Sequence, residues 1–567
     1  MPMRRNDQLP AFFRSTITPA LEALHHDQAV ERIWRKDYRL WKQEPTEISN
    51  RLGWLTVQDK MRQQHAQLQD CVSVAKNLKI KDVVLLGMGG SSLGPEVFRT
   101  VFGAQKGAPR LWVLDSTVPG WVRQVTKSIT PTRTLFLVAS KSGGTIEVMS
   151  LFGHFWNLVT KAKGNHRGKQ FIAITDPGTG LEQMAKEYEF GQIFTNPPDI
   201  GGRYSVLSFF GLVPAALLGL DIKRLLDRAA GMAEHCRNVD GMQSNPGAYL
   251  GAAMGSLAKA GRDKVTVLVS PTLSTFGLWA EQLLAESTGK EGTGLIPIAQ
   301  EPLLKPNAYG TDRFFVYLKL KGDKNHALDR AVQALVKAKH PVLQFDLRDR
   351  YDIGAEFFRW EFATAVAGHL LGIHPFDQPN VQESKDNTNR VLESFHSTGR
   401  LPKQTSHSAK EAAQALATHL KPGIYVSILA YTIPSKSFEV AMRRLRQVLM
   451  AQHQVATTFG YGPRYLHSTG QLHKGGPNTG IFVELVDRMA PDVPIPGKPF
   501  SFGILAQAQA AGDLASLHTH NRQAIRVQLG RDQASTVNAI SVALEKTTAS
   551  QPRAGAAAGR KTTRRSR

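Results

Sequence analysis

The stretch DVVLLGMGGSSLGP, residues 82–95, decides the fold that we expect for this chain. Its residues 83–86 form a short, unbroken apolar run, which is typical of a strand buried on both faces of a parallel sheet. Glycines follow at once, where the backbone must turn sharply, and EVFRTVFG beyond Pro95 reads as a helix. The stretch therefore predicts a strand, a glycine-rich turn and a helix.

The turn itself predicts an anion site. Backbone N–H groups, the hydroxyls of Ser91 and Ser92 and the positive end of the helix all point at one place. The glycines do not have the spacing of a dinucleotide fingerprint, and the Gly-Lys-Ser/Thr of a P-loop is absent from the sequence. Taken alone, the turn fits a phosphate site and a purely structural turn equally well.

Apolar runs and helical segments then alternate along the chain. Such alternation indicates parallel sheets that are covered by helices on both faces. Two α/β blocks are expected before residue 400, and a further strand and helix lie beyond it. The expected strands are 83–86, 111–115, 134–140, 171–176, 264–271, 341–347 and 423–431.

A second hydroxyl-rich turn, SKSGGT at residues 140–145, follows the third of these runs and precedes another helix. Ligands bind at the carboxyl ends of parallel strands, so both turns are expected at one edge of the sheet. Two such turns can hold one phosphate from both sides, which favours a phosphorylated ligand over a structural role.

Composition limits the remaining classes of function. The chain has 567 residues with 42% hydrophobic residues, and its net charge is +23. Part of that charge lies in a basic C-terminal tail, and no nucleic-acid recognition module is evident, so a solvated basic surface is favoured. Two cysteines, no secretory signal and no membrane-length apolar run predict a soluble cytoplasmic protein without a metal site.

The expected organisation has five parts. The first is a helical N-terminal segment and the last a disordered basic tail. Two α/β domains and a C-terminal α+β unit lie between them. The boundaries are 1–77, 78–240, 241–399, 400–545 and 546–567.

Two side chains at loop junctions are candidates for chemistry. Arg203 follows Gly201 and Gly202 in a tight turn, where a permanent positive charge can stabilise an anion that forms on a substrate. Glu286 lies in AESTGK at the end of a helix, where a carboxylate can act as a general base. On composition alone, a surface arginine and a solvated acid are equally ordinary interpretations.

Over residues 81–392 the chain resembles the glucose-6-phosphate isomerase family. The motifs that carry the resemblance occur in the family's order: GMGGSSLGP, SKSGGT, GGRYS, AESTGK and PFDQPNVQESK. The resemblance implies two doubly wound parallel-sheet sugar-isomerase (SIS) domains and interconversion of glucose 6-phosphate and fructose 6-phosphate through an enediolate. It also implies a homodimer with sites near the interface, and it requires neither metal nor organic cofactor.

The family's functional residues can be carried over by motif. The matching catalytic residues are the base Glu286, the arginine Arg203 that steadies the enediolate, and Lys385. The matching phosphate-binding residues are Gly90, Ser91, Ser140, Lys141, Ser142 and Thr145.

One departure concerns ring opening. The family has a histidine a little beyond the glutamate's loop, but this chain has none between Glu286 and His326. Asn307, Tyr309 or Asp312 is expected to stand there instead. Lys385 is an alternative for passing a proton to the ring oxygen.

The residues beyond 400 resemble the C-terminal part of fused transaldolase–isomerase chains. Within them, His467, His473 and Lys474 suggest an anion-binding loop, although a glycine-rich structural loop is the favoured interpretation. Two other functions stay open at this point. One is isomerisation of another sugar phosphate such as mannose 6-phosphate, and the other is a non-catalytic regulator that binds sugar phosphates.

Overall fold

The structure is a computed structural model that describes residues 5–7 and 11–549. Three sheets of parallel strands, flanked by helices, make up most of it, which confirms the predicted α/β fold. None of the helices within residues 11–549 is long and apolar enough to cross a bilayer. The part of the predicted tail from residue 550 onward lies outside the described residues.

The N-terminal residues form mostly helices and also contribute a strand. The strand β1 (Arg5–Asp7) pairs antiparallel with the edge of the second sheet, where Arg5 lies opposite Phe345. Its partner is distant in sequence, so no local pattern could have revealed this pairing. The helices are α1 (Ala11–His26), α2 (Ala29–Trp34), α3 (Val57–Gln63) and α4 (His65–Asn77).

The first sheet is covered on both faces. Along its central strand, Val83 and Leu85 belong to one hydrophobic core, and Val84 and Leu86 belong to another. This division explains why the run is apolar at every position rather than at alternate ones. The strands are β2 (Asp82–Gly87), β3 (Arg110–Leu114), β4 (Thr134–Ala139), β5 (Phe171–Thr175) and β6 (Gln192–Thr195), in the order β3-β2-β4-β5-β6. The helices are α5 (Gly90–Phe102), α6 (Pro119–Ser128), α7 (Ile146–Lys163), α8 (Gly180–Glu187), α9 (Phe209–Leu217) and α10 (Ile222–His235).

The second sheet repeats this order. Its first strand in the chain lies between the second and the third, and β1 closes the far edge. The strands are β7 (Lys264–Val269), β8 (Ile296–Ala299), β9 (Arg313–Leu320) and β10 (Val342–Leu347), in the order β1-β10-β9-β7-β8. The helices are α11 (Pro246–Lys259), α12 (Phe276–Thr288), α13 (His326–Lys337), α14 (Ile353–Leu371) and α15 (Pro379–Thr398).

The C-terminal residues form a third sheet with the same order again. It has a core of its own and packs against the first two sheets through a separate apolar cluster that includes Val118, Ala285 and Tyr465. The strands are β11 (Tyr425–Tyr431), β12 (Ala456–Tyr461), β13 (Gly480–Val486) and β14 (Gln523–Gln528), in the order β12-β11-β13-β14. The helices are α16 (Ala409–His419), α17 (Lys436–His453), α18 (Gly470–Gly475), α19 (Phe502–Thr519) and α20 (Gln533–Ala549).

Candidate active site

The two hydroxyl-rich turns leave neighbouring strands at the same level of the first sheet. Gly87, the last residue of β2, is paired with Ala139, the last residue of β4. The helices α5 and α7 therefore begin at one edge, on either side of the point where the strand order reverses. A cavity of about 550 Å³ lies at this edge.

Every residue that the resemblance assigned to the site lines this cavity. The first turn, the second turn, the arginine turn, α12 and α15 each contribute. The residues are Gly90, Ser91, Ser140, Lys141, Ser142, Thr145, Arg203, Glu286 and Lys385. The cavity is also lined by residues that the sequence did not single out, among them Arg51, Asp176, Gln282 and Gln378, and by His467.

The backbone of the first turn lies in close contact with the backbones of two other segments. The helix α5 begins at Gly90 rather than beyond Pro95, so Ser91 lies in the first helical turn and not in a loop. A Cβ added to Gly90 would lie 1.9 Å from the carbonyl oxygen of Gly202. Gly89 has a φ of +55°, and a Cβ there would lie 2.6 Å from the His467 carbonyl. Glycine is required at both positions because the backbones approach so closely.

The second turn presents hydroxyl groups to the cavity, together with a lysine whose positive charge is paired with a carboxylate. The Ser140 Oγ and Thr145 Oγ1 atoms are 2.9 Å apart and share a hydrogen bond. The Lys141 ammonium group is paired with Asp176, which also lines the cavity. Burial raises the pKa of Asp176, although Lys141 opposes that shift. The lysine therefore brings little uncompensated positive charge to the cavity.

Glu286 lies in the last turn of α12 and is buried. Its Oε2 atom is 3.7 Å from Nη1 of Arg203 and accepts a 3.1 Å hydrogen bond from Nε2 of Gln282. Burial raises the pKa of Glu286, and the positive charge of Arg203 partly opposes the shift. A carboxylate with a raised pKa is a better proton acceptor than an ordinary solvated one.

Arg203 is held rigidly beside that carboxylate. It is 2% exposed, and its Nε donates to Ser287 Oγ at 2.7 Å. Its Nη1 donates to Gln378 Oε1 at 2.8 Å, and its Nη2 donates to the carbonyls of residues 375 and 377 at 2.9 Å. These bonds fix the guanidinium without neutralising it, since none of the four acceptors carries a charge. A fixed positive charge of this kind can stabilise an oxyanion.

Lys385 projects from α15 and is exposed. It lines the main cavity and also an adjoining chamber of about 400 Å³, which Ser142, Thr145 and His467 share. Its charge contributes to lowering the pKa of Glu147, a residue in the first turn of α7. Lys385 thus lies at the border between the two spaces, and it is exposed whereas Arg203 is buried.

His467 reaches the cavity from the third sheet, after β12. Its Nε2 is 2.7 Å from Glu147 Oε1, and its carbonyl accepts a 2.8 Å hydrogen bond from Gln282, the residue that also binds Glu286. Sequence reasoning did not place it here, because no local pattern links residue 467 to turns on the first sheet.

The structure does not bring His467, His473 and Lys474 together as an anion-binding loop, which was the less favoured of the two interpretations. The latter two side chains are buried inside the C-terminal unit. Lys474 is paired with Asp513 at 2.6 Å, and the ring of His473 packs against Phe482. Of the three, only His467 lines the cavity. It lies in a short helical turn that precedes α18.

The expectation for Asn307, Tyr309 and Asp312 is also wrong. Their segment precedes β9, and none of the three is among the residues that line the cavity. Tyr309 packs against Phe315 in a small apolar cluster, and Asp312 is paired with Lys264 at 3.2 Å. They satisfy structural contacts beside the second sheet.

Comparisons identify known proteins whose sequences are similar to this chain. The family model described as phosphoglucose isomerase matches residues 52–295. A glucose-6-phosphate isomerase of Rubrobacter xylanophilus is 30% identical over 351 residues, which cover 54% of this chain and 81% of that protein. The corresponding protein of Carboxydothermus hydrogenoformans is 29% identical over 371 residues, covering 55% and 79%.

A solved structure has the same fold. The crystal structure of a glucose-6-phosphate isomerase from Chlamydia trachomatis superposes with a TM-score of 0.56 at 18% identity, covering 66% of this chain and 86% of that one. The family model spans the first turn, the second turn, Arg203 and Glu286, which here converge on one cavity. The chain belongs to the phosphoglucose isomerase family.

Proposed function

We propose that this protein is an aldose–ketose isomerase that interconverts glucose 6-phosphate and fructose 6-phosphate. The observation that carries the proposal is the pairing of Glu286 with Arg203 in a cavity bordered by two hydroxyl-rich turns. The two turns together anchor a phosphate, the carboxylate of Glu286 moves a proton, and the fixed charge of Arg203 stabilises the negative charge that results. The relatives from Rubrobacter and Carboxydothermus carry the name of this activity.

The mechanism follows from these positions. The substrate phosphate binds between the helix N-termini of α5 and α7, where Ser91, Ser140 and Thr145 supply hydroxyls. Glu286 removes the proton from C2 of the open-chain aldose and returns it at C1. Arg203 stabilises the enediolate oxygen that becomes negative between these steps. The isomerisation moves one proton from C2 to C1 and a second from the C2 hydroxyl to O1, and it exchanges no electrons with a cofactor.

A coupled assay tests this proposal directly. Fructose 6-phosphate is supplied, and the glucose 6-phosphate formed is oxidised by a dehydrogenase that reduces NADP. We expect turnover that is unchanged by a chelator, since the chemistry above uses side chains alone. Turnover that required added divalent metal, or none with this pair of sugars but some with mannose 6-phosphate, would contradict the proposal. Binding without turnover would indicate a regulator.

Three finer features belong to the same proposal. We infer that the enzyme is a cytoplasmic homodimer and that its folding units are 78–240, 241–399 and 400–545. We also infer that the C-terminal unit is related to the C-terminal part of fused transaldolase–isomerase chains. Gel filtration with light scattering tests the dimer, and limited proteolysis tests the boundaries of the units.

A further inference from the structure

We propose that Lys290 is a positioning residue for the isomerisation. Its ammonium group holds the backbone of residues 374–378, and that backbone in turn holds Arg203 beside Glu286. Lys290 is not among the residues that line the main cavity in the part of the chain that the structure describes, so it acts through Arg203 and not on the substrate. This inference rests on the proposed function, because Arg203 is the group that stabilises the enediolate.

Arg203 takes its position from the loop between α14 and α15. Three of its four hydrogen-bond acceptors lie there: the carbonyls of residues 375 and 377, each at 2.9 Å, and Oε1 of Gln378 at 2.8 Å. The fourth acceptor is Ser287 Oγ, one residue beyond Glu286. The distance of 3.7 Å between the guanidinium and the Glu286 carboxylate therefore depends on where the loop lies relative to the end of α12.

Lys290 ties this loop to the end of α12. It lies four residues beyond Glu286 and is 2% exposed. Its Nζ atom donates to the carbonyls of His374 and Asp377 at 2.5 and 2.6 Å, and it is paired with the Asp377 carboxylate. The Asp377 carbonyl therefore accepts hydrogen bonds from both Lys290 and Arg203.

The number of donors explains why a lysine serves at this position. The residues between α14 and α15 lie outside both helices, so their carbonyls need partners from elsewhere. An ammonium group has three N–H donors, and it meets two backbone carbonyls and one carboxylate oxygen here. An apolar side chain of the same length would leave these acceptors without their donor, and the loop would shift to find other partners.

The charge of Lys290 makes this contact sensitive to pH. Burial and the charge of Arg203, from the turn before α9, lower the pKa of Lys290 to about 8. The carboxylates of Asp377 in the loop and Glu286 on α12 oppose that shift. His374 is the other titratable group that faces Lys290, and burial lowers its pKa from 6.5, so its ring is already neutral at pH 8. Above about pH 8 the lysine is a neutral amine with two donors for three acceptors, and its hold on the loop should weaken.

Lys290→Met keeps the length of the side chain and removes its donors. We expect kcat in the coupled assay to fall by about 10²-fold, which is the effect of a misplacement of about 1 Å near the reacting atoms. KM should change little, because the two hydroxyl-rich turns that bind the phosphate are untouched. Equal falls in kcat and kcat/KM are the pattern of an interaction made only in the transition state, as expected for the contact between Arg203 and the enediolate.

Lys264→Met is the matched control. Lys264 is also 2% exposed, and it is paired with Asp263 at 2.8 Å and Asp312 at 3.2 Å. Its Nζ atom donates to a loop carbonyl as well, that of Gly423, at 2.8 Å. Because Lys264 is not among the described residues that line the cavity, this variant should unfold at a lower temperature with an unchanged kcat. A fall in kcat of the same size in both variants would overturn the inference.

Asp377→Asn tests the same contact through the pH profile and leaves the lysine in place. In the wild-type protein kcat should fall as the pH rises through about 8, where Lys290 loses its proton. The Asp377 carboxylate raises the pKa of Lys290, so its removal should move this fall to lower pH. A lysine that only stabilised the fold would lower the unfolding temperature without moving the profile. If Lys290→Met does not fold, this profile decides, and an unmoved alkaline fall would overturn the inference.

A double variant shows whether Lys290 acts through Arg203. In an Arg203→Met background the guanidinium is absent, so Lys290→Met should lower kcat by no more than a few-fold further. A further loss as large as that in the wild-type background would mean that the lysine acts by another route, and the inference would be wrong.

The wild-type assay separates this inference from the proposed function. If the wild-type protein isomerises the two sugar phosphates and Lys290→Met retains the wild-type kcat, the inference is wrong and the proposed function stands. A folded wild-type protein that isomerised neither sugar phosphate would overturn the proposed function itself.

Discussion

The first and third sheets have the same strand order, but the crevice where that order reverses is open in the first sheet and closed in the third. In the first sheet, β2 and β4 end opposite each other and are followed by glycine- and hydroxyl-rich turns that border a cavity. In the third sheet, β11 and β13 also end opposite each other, at Tyr431 and Val486. There, Thr432 donates to Asp487 across the gap at 2.9 Å, and the Asp487 N–H binds the Tyr431 carbonyl.

The comparison teaches that topology provides the place for a ligand and that side chains decide whether the place is open. The turn after β2 borders an open cavity, whereas the crevice of the third sheet closes with its own hydroxyl and carboxylate. The third sheet contributes by a different route, since the segment after β12 brings His467 to the first sheet's cavity.

The largest expected effect concerns Glu286. Glu286→Gln keeps the size and the hydrogen bonding of the side chain but removes its ability to accept a proton, so turnover should fall by about 10²–10⁴-fold. Substrate affinity should change little, because the turns at Ser91 and Thr145 are untouched. The coupled assay gives both constants, and exchange of the C2 proton with solvent should be lost together with turnover.

The pH dependence of the wild-type enzyme sharpens that test. The base must be ionised, and burial raises the pKa of Glu286 above the ordinary value of 4.5. The value of kcat/KM should therefore fall with decreasing pH through a pKa above 4.5, since protonation removes the base. Retention of C2 exchange in Glu286→Gln would assign the base to another residue.

The ion pair between Asp115, after β3 of the first sheet, and Arg464, after β12 of the third sheet, should have the next largest effect. Asp115→Ala leaves the guanidinium of Arg464 without its carboxylate in a mostly buried position. Breaking a buried ion pair from one side costs about 3–5 kcal/mol, so thermal unfolding should occur at a clearly lower temperature. Asp263→Ala serves as the comparison. It removes one of the two carboxylates that contact Lys264, and the other, Asp312, remains. Equal stability of both variants would show that the Arg464 contact does not hold the units together.

The sequence predicted the part of this architecture that is encoded locally. The run at 83–86 and the turns at 87–94 and 140–145 identified two strands, their helices and the edge of the sheet at which the cavity lies. The pairing of β1 with β10 was not anticipated. Neither were the strands β1, β6, β8, β9, β12, β13 and β14. Sheet order and pairing depend on contacts between distant residues, which apolar periodicity does not report.

The same limit applies to the site. Residues within motifs, such as Ser91, Arg203 and Glu286, all line one cavity, and their roles stay predictions. His467 and Glu147 could not be paired from sequence, because one lies after a strand of the third sheet and the other begins a helix of the first. Charge and polarity alone also suggested His473 and Lys474, which the structure buries inside the C-terminal unit.

A smaller effect is expected at the open crevice. Thr145→Ala removes a hydroxyl that would bind the charged phosphate, and such hydrogen bonds contribute about 1.5–3 kcal/mol. KM should rise by roughly 10- to 150-fold while kcat changes little, because the group acts on bound substrate and transition state alike. An unchanged KM in both Thr145→Ala and Ser91→Ala would remove the two turns from the site.

The smallest effect is expected at the matching position of the third sheet, and it tests the comparison most directly. Thr432 follows β11 as the first turn follows β2, and its hydroxyl donates to Asp487, which follows β13 as the second turn follows β4. Thr432→Val keeps the shape of the side chain and removes one hydrogen bond. Asp487 is only half-buried and also accepts from Gln533, so the free energy of unfolding should fall by only about 1 kcal/mol.

Catalysis should not change in this variant, since Thr432 does not line the cavity among the residues described. The pair Thr145→Ala and Thr432→Val therefore separates the two kinds of crevice: one variant changes KM and the other changes only stability. Steady-state kinetics and chemical denaturation of the two proteins give the answer. A higher KM for sugar phosphate in Thr432→Val would mean that the third sheet's crevice also senses the ligand, and that closure by internal hydrogen bonds is not what distinguishes it.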